Sequence, residues 1–79
     1  MRIPRDIKGD ELIRALHRLG YESKAGKGSH KRIFKKGFAE TIPAHKGKCL
    51  RQGLLGKILK TIARNEGIEV EALMDKLDI

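Results

Sequence analysis

A chain of 79 residues can bury one hydrophobic core and leaves no room for a separate cofactor domain, so any active site must lie on the surface of a single domain, residues 1–79. Its 18 Lys and Arg against 10 Asp and Glu give a formal charge of +8, which attracts polyanions and makes nucleic acid the first candidate partner. No run approaches the roughly 20 apolar residues that span a bilayer, no secretory apolar region follows Met1, and the lone Cys49 can neither close an internal disulfide nor organise a zinc site.

These features read as a cytoplasmic protein with no metal, no cofactor and no membrane partner. Residues 1–9 carry Pro4 and Gly9 with little periodicity and read as a lead-in. Asp10 is the expected N-cap of a first helix, Glu11 to Leu19, in which Leu12, Ile13, Leu16 and Leu19 recur at helical spacing. Gly20 ends that helix as a C′ glycine. His17 falls on the charged side and reads as a solvated surface histidine.

Three short segments follow, Tyr21 to Ala25, His30 to Lys35 and Phe38 to Pro43, punctuated by Gly26-Lys27-Gly28 and Lys36-Gly37. They predict an antiparallel meander with tight hairpins. Leu50, Leu54, Leu55, Ile58, Leu59, Ile62 and Ala63 define a second amphipathic helix, Gln52 to Asn65, closed by Gly67. A last short helix, Val70 to Leu77, places Val70, Leu73, Met74 and Leu77 on one stripe. The fold class is therefore α+β: a three-stranded antiparallel sheet covered on one face by helices, in the order α-β-β-β-α with an extra C-terminal helix. Double-stranded-RNA-binding domains share that order, an analogy of fold that carries no function by itself.

The stretch richest in chemistry is Lys27-Gly28-Ser29-His30-Lys31-Arg32, where a histidine opens a strand among cations. Imidazole titrates near neutrality and suits general acid or base work, while the neighbouring cations would hold a phosphate beside it. Cleaving RNA without a metal needs a group to take the 2′-hydroxyl proton, one to protonate the leaving oxygen, and positive charge for the phosphorane. Strand alternation adds a constraint. If Ile33 is the core residue, His30, Arg32 and Phe34 share the open face; if Phe34 is, His30 turns inward. His45, just past Pro43, falls in a loop that adjacent strands could bring near the same site, and it reads equally well as a loop residue bonded to backbone. Lys46 and Lys48 are phosphate contacts on charge alone. Neither Gly26 nor Gly28 belongs to a phosphate-binding loop motif.

Several motifs together resemble the HicA (YcfA-like) family of type II toxin-antitoxin systems. They are Ile3-Pro4-Arg5-Asp6-Ile7 with Gly9 and Glu11-Leu12-Ile13, Leu19-Gly20-Tyr21, Gly28-Ser29-His30, Thr41-Ile42-Pro43-x-His45, and Gly53-x-Leu55-x-x-Ile58-Leu59-Lys60, in the family's order along nearly the whole chain. The resemblance implies a double-stranded-RNA-binding-like sandwich, metal-independent cleavage of messenger RNA, a catalytic histidine at His30, and masking by a HicB-type antitoxin. It makes Gly28 and Ser29 of the same motif RNA-binding positions, beside Lys27, Lys31, Arg32, His45, Lys46 and Lys48. Many members carry a second histidine where this chain has Lys31 and a threonine where it has Leu54. The competing expectation is a non-catalytic RNA-binding module, because such a basic sandwich can bind A-form RNA through backbone and 2′-hydroxyl contacts without any histidine. A helix-turn-helix reading of the last two helices would set Glu69, Glu71 and Asp75 against phosphate.

Overall fold

In the computed structural model, which describes residues 3–79, the chain runs α1 (Gly9–His17), β1 (Glu22–Ala25), β2 (His30–Lys35), β3 (Phe38–Pro43), α2 (Gln52–Glu66) and α3 (Val70–Leu77). This is the α+β order expected from the hydrophobic pattern. Met1, the first residue of the predicted lead-in, lies outside the described residues. The three strands form one antiparallel sheet in the order β1-β2-β3. Helices α1 and α2 lie on one face of it, and α3 packs against both helices.

Alternation along β2 settles which face is buried. Ile33 is fully buried and pairs with Ser23 on one side and Glu40 on the other, while His30 and Arg32 are exposed. The open-face register of His30, Arg32 and Phe34 is therefore the one adopted. The β2–β3 hairpin turns on two residues, Lys36 (φ 47°) and Gly37 (φ 86°). Positive φ at both positions matches the right-handed twist of the flanking strands, and it pairs His30 with Pro43 at the far end of the ladder.

The core joins Leu12 and Leu16 of α1, Ile33 and Ile42 of the sheet, Leu55, Leu59 and Ile62 of α2, and Leu73 and Leu77 of α3, all with no exposed area. Each such side chain contributes roughly 1.5–3 kcal/mol of transfer free energy, which is what holds three short helices to so small a sheet.

Three local expectations need correction. Asp10 does not cap α1: Lys8 occupies the N-cap position, the helix starts at Gly9, and the Glu11 carboxylate accepts the Lys8 backbone N–H at 2.9 Å. The helix starts early because its first turn is anchored from outside. The isolated bridge Lys8↔Cys49 and the bond from Leu50 N to Ile7 O, 2.7 Å, tie the lead-in to the segment before α2. At its other end α1 stops at His17, and Gly20 N to His17 O (3.1 Å) with Tyr21 N to Leu16 O (3.1 Å) close it, Gly20 holding the left-handed position. Leu54, placed by periodicity in the apolar stripe of α2, is instead exposed, because its neighbour Leu55 takes the buried side of the first turn.

Candidate nucleic-acid interface and active site

His30 begins β2 immediately after the three-residue loop Lys27-Gly28-Ser29. The loop is closed by Gly26 N to His30 O at 2.9 Å and by His30 N to Lys27 O at 3.2 Å. Both bonds are backbone bonds, so they fix where the imidazole starts without occupying its ring. Among the described residues the ring has one hydrogen-bond partner: Nδ1 lies 3.4 Å from Lys27 O, a long contact in which only the nitrogen can donate.

The hairpin register brings His45 to the same place. Pro43 is the ladder partner of His30, and Ala44 N donates to Ser29 O at 3.0 Å, which carries the pairing one step past the end of β3. The next residue is His45. Its ring centroid lies 5.8 Å from that of His30, with the planes at 72°. Ser29 Oγ and His45 Nδ1 are 2.7 Å apart, the shortest side-chain contact of the site. The turn that follows is closed by Lys48 N to His45 O at 3.1 Å.

Both histidines line an open groove of about 330 Å³ whose other walls are Pro43, Lys48, Cys49, Leu50, Arg51 and Leu54. The floor is apolar and the rim cationic. The wall at Cys49 and Leu50 stands where it does because the lead-in is stitched to it, and the wall at Pro43 because α1 abuts it. A Cβ on Gly9 would come within 2.0 Å of Pro43 O.

The predicted residues fall into three groups. His30, Ser29, His45 and Lys48 converge on the groove or its edge. Lys27, Gly28 and Lys46 are exposed on the two loops flanking the histidines, and Arg32 is exposed further along the open face of β2. Lys31 is not brought to the groove: strand alternation turns it to the opposite face, where its ammonium donates to Asp10 Oδ1 at 2.9 Å. His17, expected to be solvated, is exposed and lies 2.8 Å from Ser23 Oγ.

Arg51 and Leu54 were not among the residues singled out for the site. Arg51 is the N-cap residue of α2 and adds a cation to the groove, and the exposed Leu54 adds an apolar wall. An unpaired Arg before a helix and a Leu in its first turn carry no local signal of a ligand; only the packing of α2 beside β3 places them there. Among the described residues, no group of three or more His, Cys, Asp and Glu is arranged to hold a metal ion.

Compared with known proteins, the chain matches the family model described as HicA toxin of bacterial toxin-antitoxin, over residues 9–63. That span is well over half of the chain and runs from the start of α1 into the last turn of α2, taking in both histidines. No curated protein and no solved structure matches it.

Proposed function

The chain belongs to the HicA toxin family of bacterial toxin-antitoxin systems, and we propose that it acts by cutting messenger RNA, without a metal, with His30 as the catalytic residue. A toxin of such a system has an antitoxin as its partner. The proposal concerns the chemistry that the antitoxin restrains.

The observation that carries it is the position of His30. Its ring is exposed at the head of β2, its backbone is fully bonded, and it faces a groove whose rim is lined by Lys48 and Arg51. A general acid or base must reach a reacting proton directly, and this ring has room beside it for a ribose and its phosphate. Lys27, Arg32, Lys46 and Lys48 supply phosphate contacts around it, with Gly28 and Ser29 offering a loop that a backbone can approach. Lys31, paired with Asp10, contributes field more than contact. The phosphorane's extra negative charge is met by cations already in place before the reaction begins.

No helix among the described residues is long and apolar enough to cross a membrane, and action in the cytoplasm on messenger RNA follows from the substrate. The antitoxin we expect is a HicB-type protein whose acidic surface covers the basic groove.

The test is cleavage of single-stranded RNA by the purified protein in a chelating buffer, compared with His30→Ala. Loss of a general acid or base lowers the rate about 100-fold to 10,000-fold, with RNA affinity and thermal unfolding nearly unchanged. Activity that disappears in chelator and returns with a divalent ion contradicts the metal-independent mechanism. Binding without cleavage by the unaltered protein makes it a non-catalytic RNA-binding module.

A further inference from the structure

We infer that His45 is a second catalytic residue, the general acid that protonates the leaving 5′-oxygen, and that Ser29 positions its ring. This inference rests on the proposed RNA cleavage and deepens it by naming the complementary half of the proton transfer.

Transfer of the ribose 2′-oxygen to phosphorus needs two proton movements on opposite sides of one phosphoryl group. A single imidazole cannot stand on both sides at once. Hydrogen bonds of about 2.6–3.2 Å are required at each end, so two acid-base groups flanking one phosphoryl must be neighbours without touching. His30 and His45 meet that condition: their centroids are 5.8 Å apart, they are not hydrogen-bonded to each other, and both open into the same groove.

The Nδ1 partners turn Nε2 of each ring toward the groove. The partner of His30 Nδ1 is a carbonyl, Lys27 O at 3.4 Å, which only accepts. Nδ1 then carries the hydrogen and Nε2 keeps its lone pair, as a base requires. The partner of His45 Nδ1 is a hydroxyl, Ser29 Oγ at 2.7 Å, which both donates and accepts. Its oxygen accepts from Nδ1–H in the imidazolium and again in the neutral ring left when Nε2 gives up its proton, so the ring keeps one orientation through both protonation states with Nε2 toward the groove. A group that must give up and regain a proton in each turnover needs that property.

The step balances. His30 Nε2 takes the 2′-hydroxyl proton, the 2′-oxygen forms a bond to phosphorus, and the bond from phosphorus to the 5′-oxygen breaks. The departing oxygen takes the proton from His45 Nε2. The products are a 2′,3′-cyclic phosphate and a 5′-hydroxyl, and the two rings exchange protons with solvent to reset. No oxidant, reductant or metal enters.

The experiment replaces the bridging 5′-oxygen of an RNA oligonucleotide with sulfur. A thiolate leaves without protonation, since a thiol's ordinary pKa is about 8.5, so a general acid no longer matters. His45→Ala is expected to cut ordinary RNA about 100-fold or more slowly and the sulfur-bridged RNA within a few-fold of the unaltered protein. His30→Ala is expected to be slow on both. Ser29→Ala should show a smaller defect with the same leaving-group dependence, restored by Ser29→Thr. The His45→Ala and Ser29→Ala comparisons each use one purified variant on two substrates, so loss of folding lowers both rates and cannot imitate their leaving-group dependence; thermal unfolding of His30→Ala shows that it is folded.

If His45→Ala cuts ordinary RNA at the unaltered rate, His45 has no part in the chemistry, although the proposed cleavage stands. If it is equally slow on both substrates, His45 binds or shapes the groove and the acid role is wrong. Failure of the unaltered protein to cut either RNA removes the proposed function itself.

Discussion

The phenol of Tyr21 donates to Glu66 Oε2 at 2.7 Å across the interior edge of the domain. Two other groups complete the arrangement. Asn65 Nδ2 donates to the same phenol oxygen at 3.0 Å, and Lys35 Nζ donates to Glu66 Oε2 at 3.2 Å while lying 5.0 Å above the Tyr21 ring. Lys35 also donates to Leu19 O at 2.8 Å. The end of α1, β2 and the end of α2 are joined here by bonded side chains, with Tyr21 buried, Lys35 and Glu66 partly buried and Asn65 exposed. Tyr21→Phe keeps the ring and removes both phenol bonds, leaving Glu66 with Lys35 alone. It should lower stability by about 1–3 kcal/mol, read as a lower urea midpoint with an unchanged slope.

The same pair sets how stability varies with pH. Burial, then the bond to the Glu66 carboxylate, pushes the Tyr21 phenol up from 10.0 to about 12. A raised folded pKa contributes stability that is complete below the unfolded value and lost as pH climbs from 10 through about 12. The Tyr21 bond and then Lys35 hold the Glu66 carboxyl below its ordinary 4.5. That contribution is present above about 4.5 and lost as pH falls further. Urea midpoints should therefore drop at both extremes, and Tyr21→Phe should flatten the alkaline fall more than the neutral plateau. A mutant whose alkaline fall matches the unaltered protein would separate the phenol from that pH dependence.

Gly9 stands where α1 meets the end of β3, with the place of a Cβ lying 2.0 Å from Pro43 O and 2.9 Å from Ala44 Cα. Backbone cannot yield there as a flexible side chain would. Gly9→Ala should cost about 1–3 kcal/mol as overpacking. Because the atoms displaced directly precede His45, its activity loss should exceed what reduced folding explains. Measuring RNA cleavage well below the melting temperature, where the variant is folded, checks this. Full activity there would mean that the contact holds only the fold.

Much of this was legible beforehand, for local reasons. Turn glycines marked the strand ends, whereas the face of β2 stayed open between Ile33 and Phe34 until packing buried Ile33. The meeting of the two histidines was also within reach: a two-residue turn at Lys36-Gly37 makes His30 the partner of Pro43, so His45 must follow close by. What could not be read were contacts made by elements far apart in sequence. Asp10 is a good capping residue by type, yet the bridge Lys8↔Cys49 and the close approach of Gly9 to Pro43 start the helix before it. Arg51 and Leu54 join the groove only because α2 docks beside β3. Lys31 looked like a phosphate ligand beside His30, and only the position of Asp10 on α1 shows where its ammonium is engaged.

That last difference yields a prediction about where RNA lies. Lys31 and Lys48 carry the same charge, and both lie near a histidine in space or in sequence. Lys48 is exposed and lines the groove, whereas Lys31 Nζ is 2.9 Å from Asp10 on the other face of the sheet. On single-stranded RNA, each phosphate neutralised by a cation adds about 0.7 to the slope of log affinity against log salt. Lys48→Ala should therefore weaken binding across sequences and reduce that slope by about 0.7. Lys31→Ala should leave the slope nearly unchanged. It should also cost no more than about 1 kcal/mol of stability, because the ion pair it breaks is close to half exposed on both sides, 44% and 49%. Affinities measured by fluorescence anisotropy over a salt series, with both variants and His30→Ala as the binding-competent control, decide the matter. If Lys31→Ala flattens the salt dependence as much as Lys48→Ala, the Asp10 pair opens when RNA binds and the RNA passes the start of β2 toward α1. If neither variant changes it, the phosphates are held by Lys27, Arg32 and Lys46 on the open side of the hairpins, and the groove receives only the nucleotide being cut.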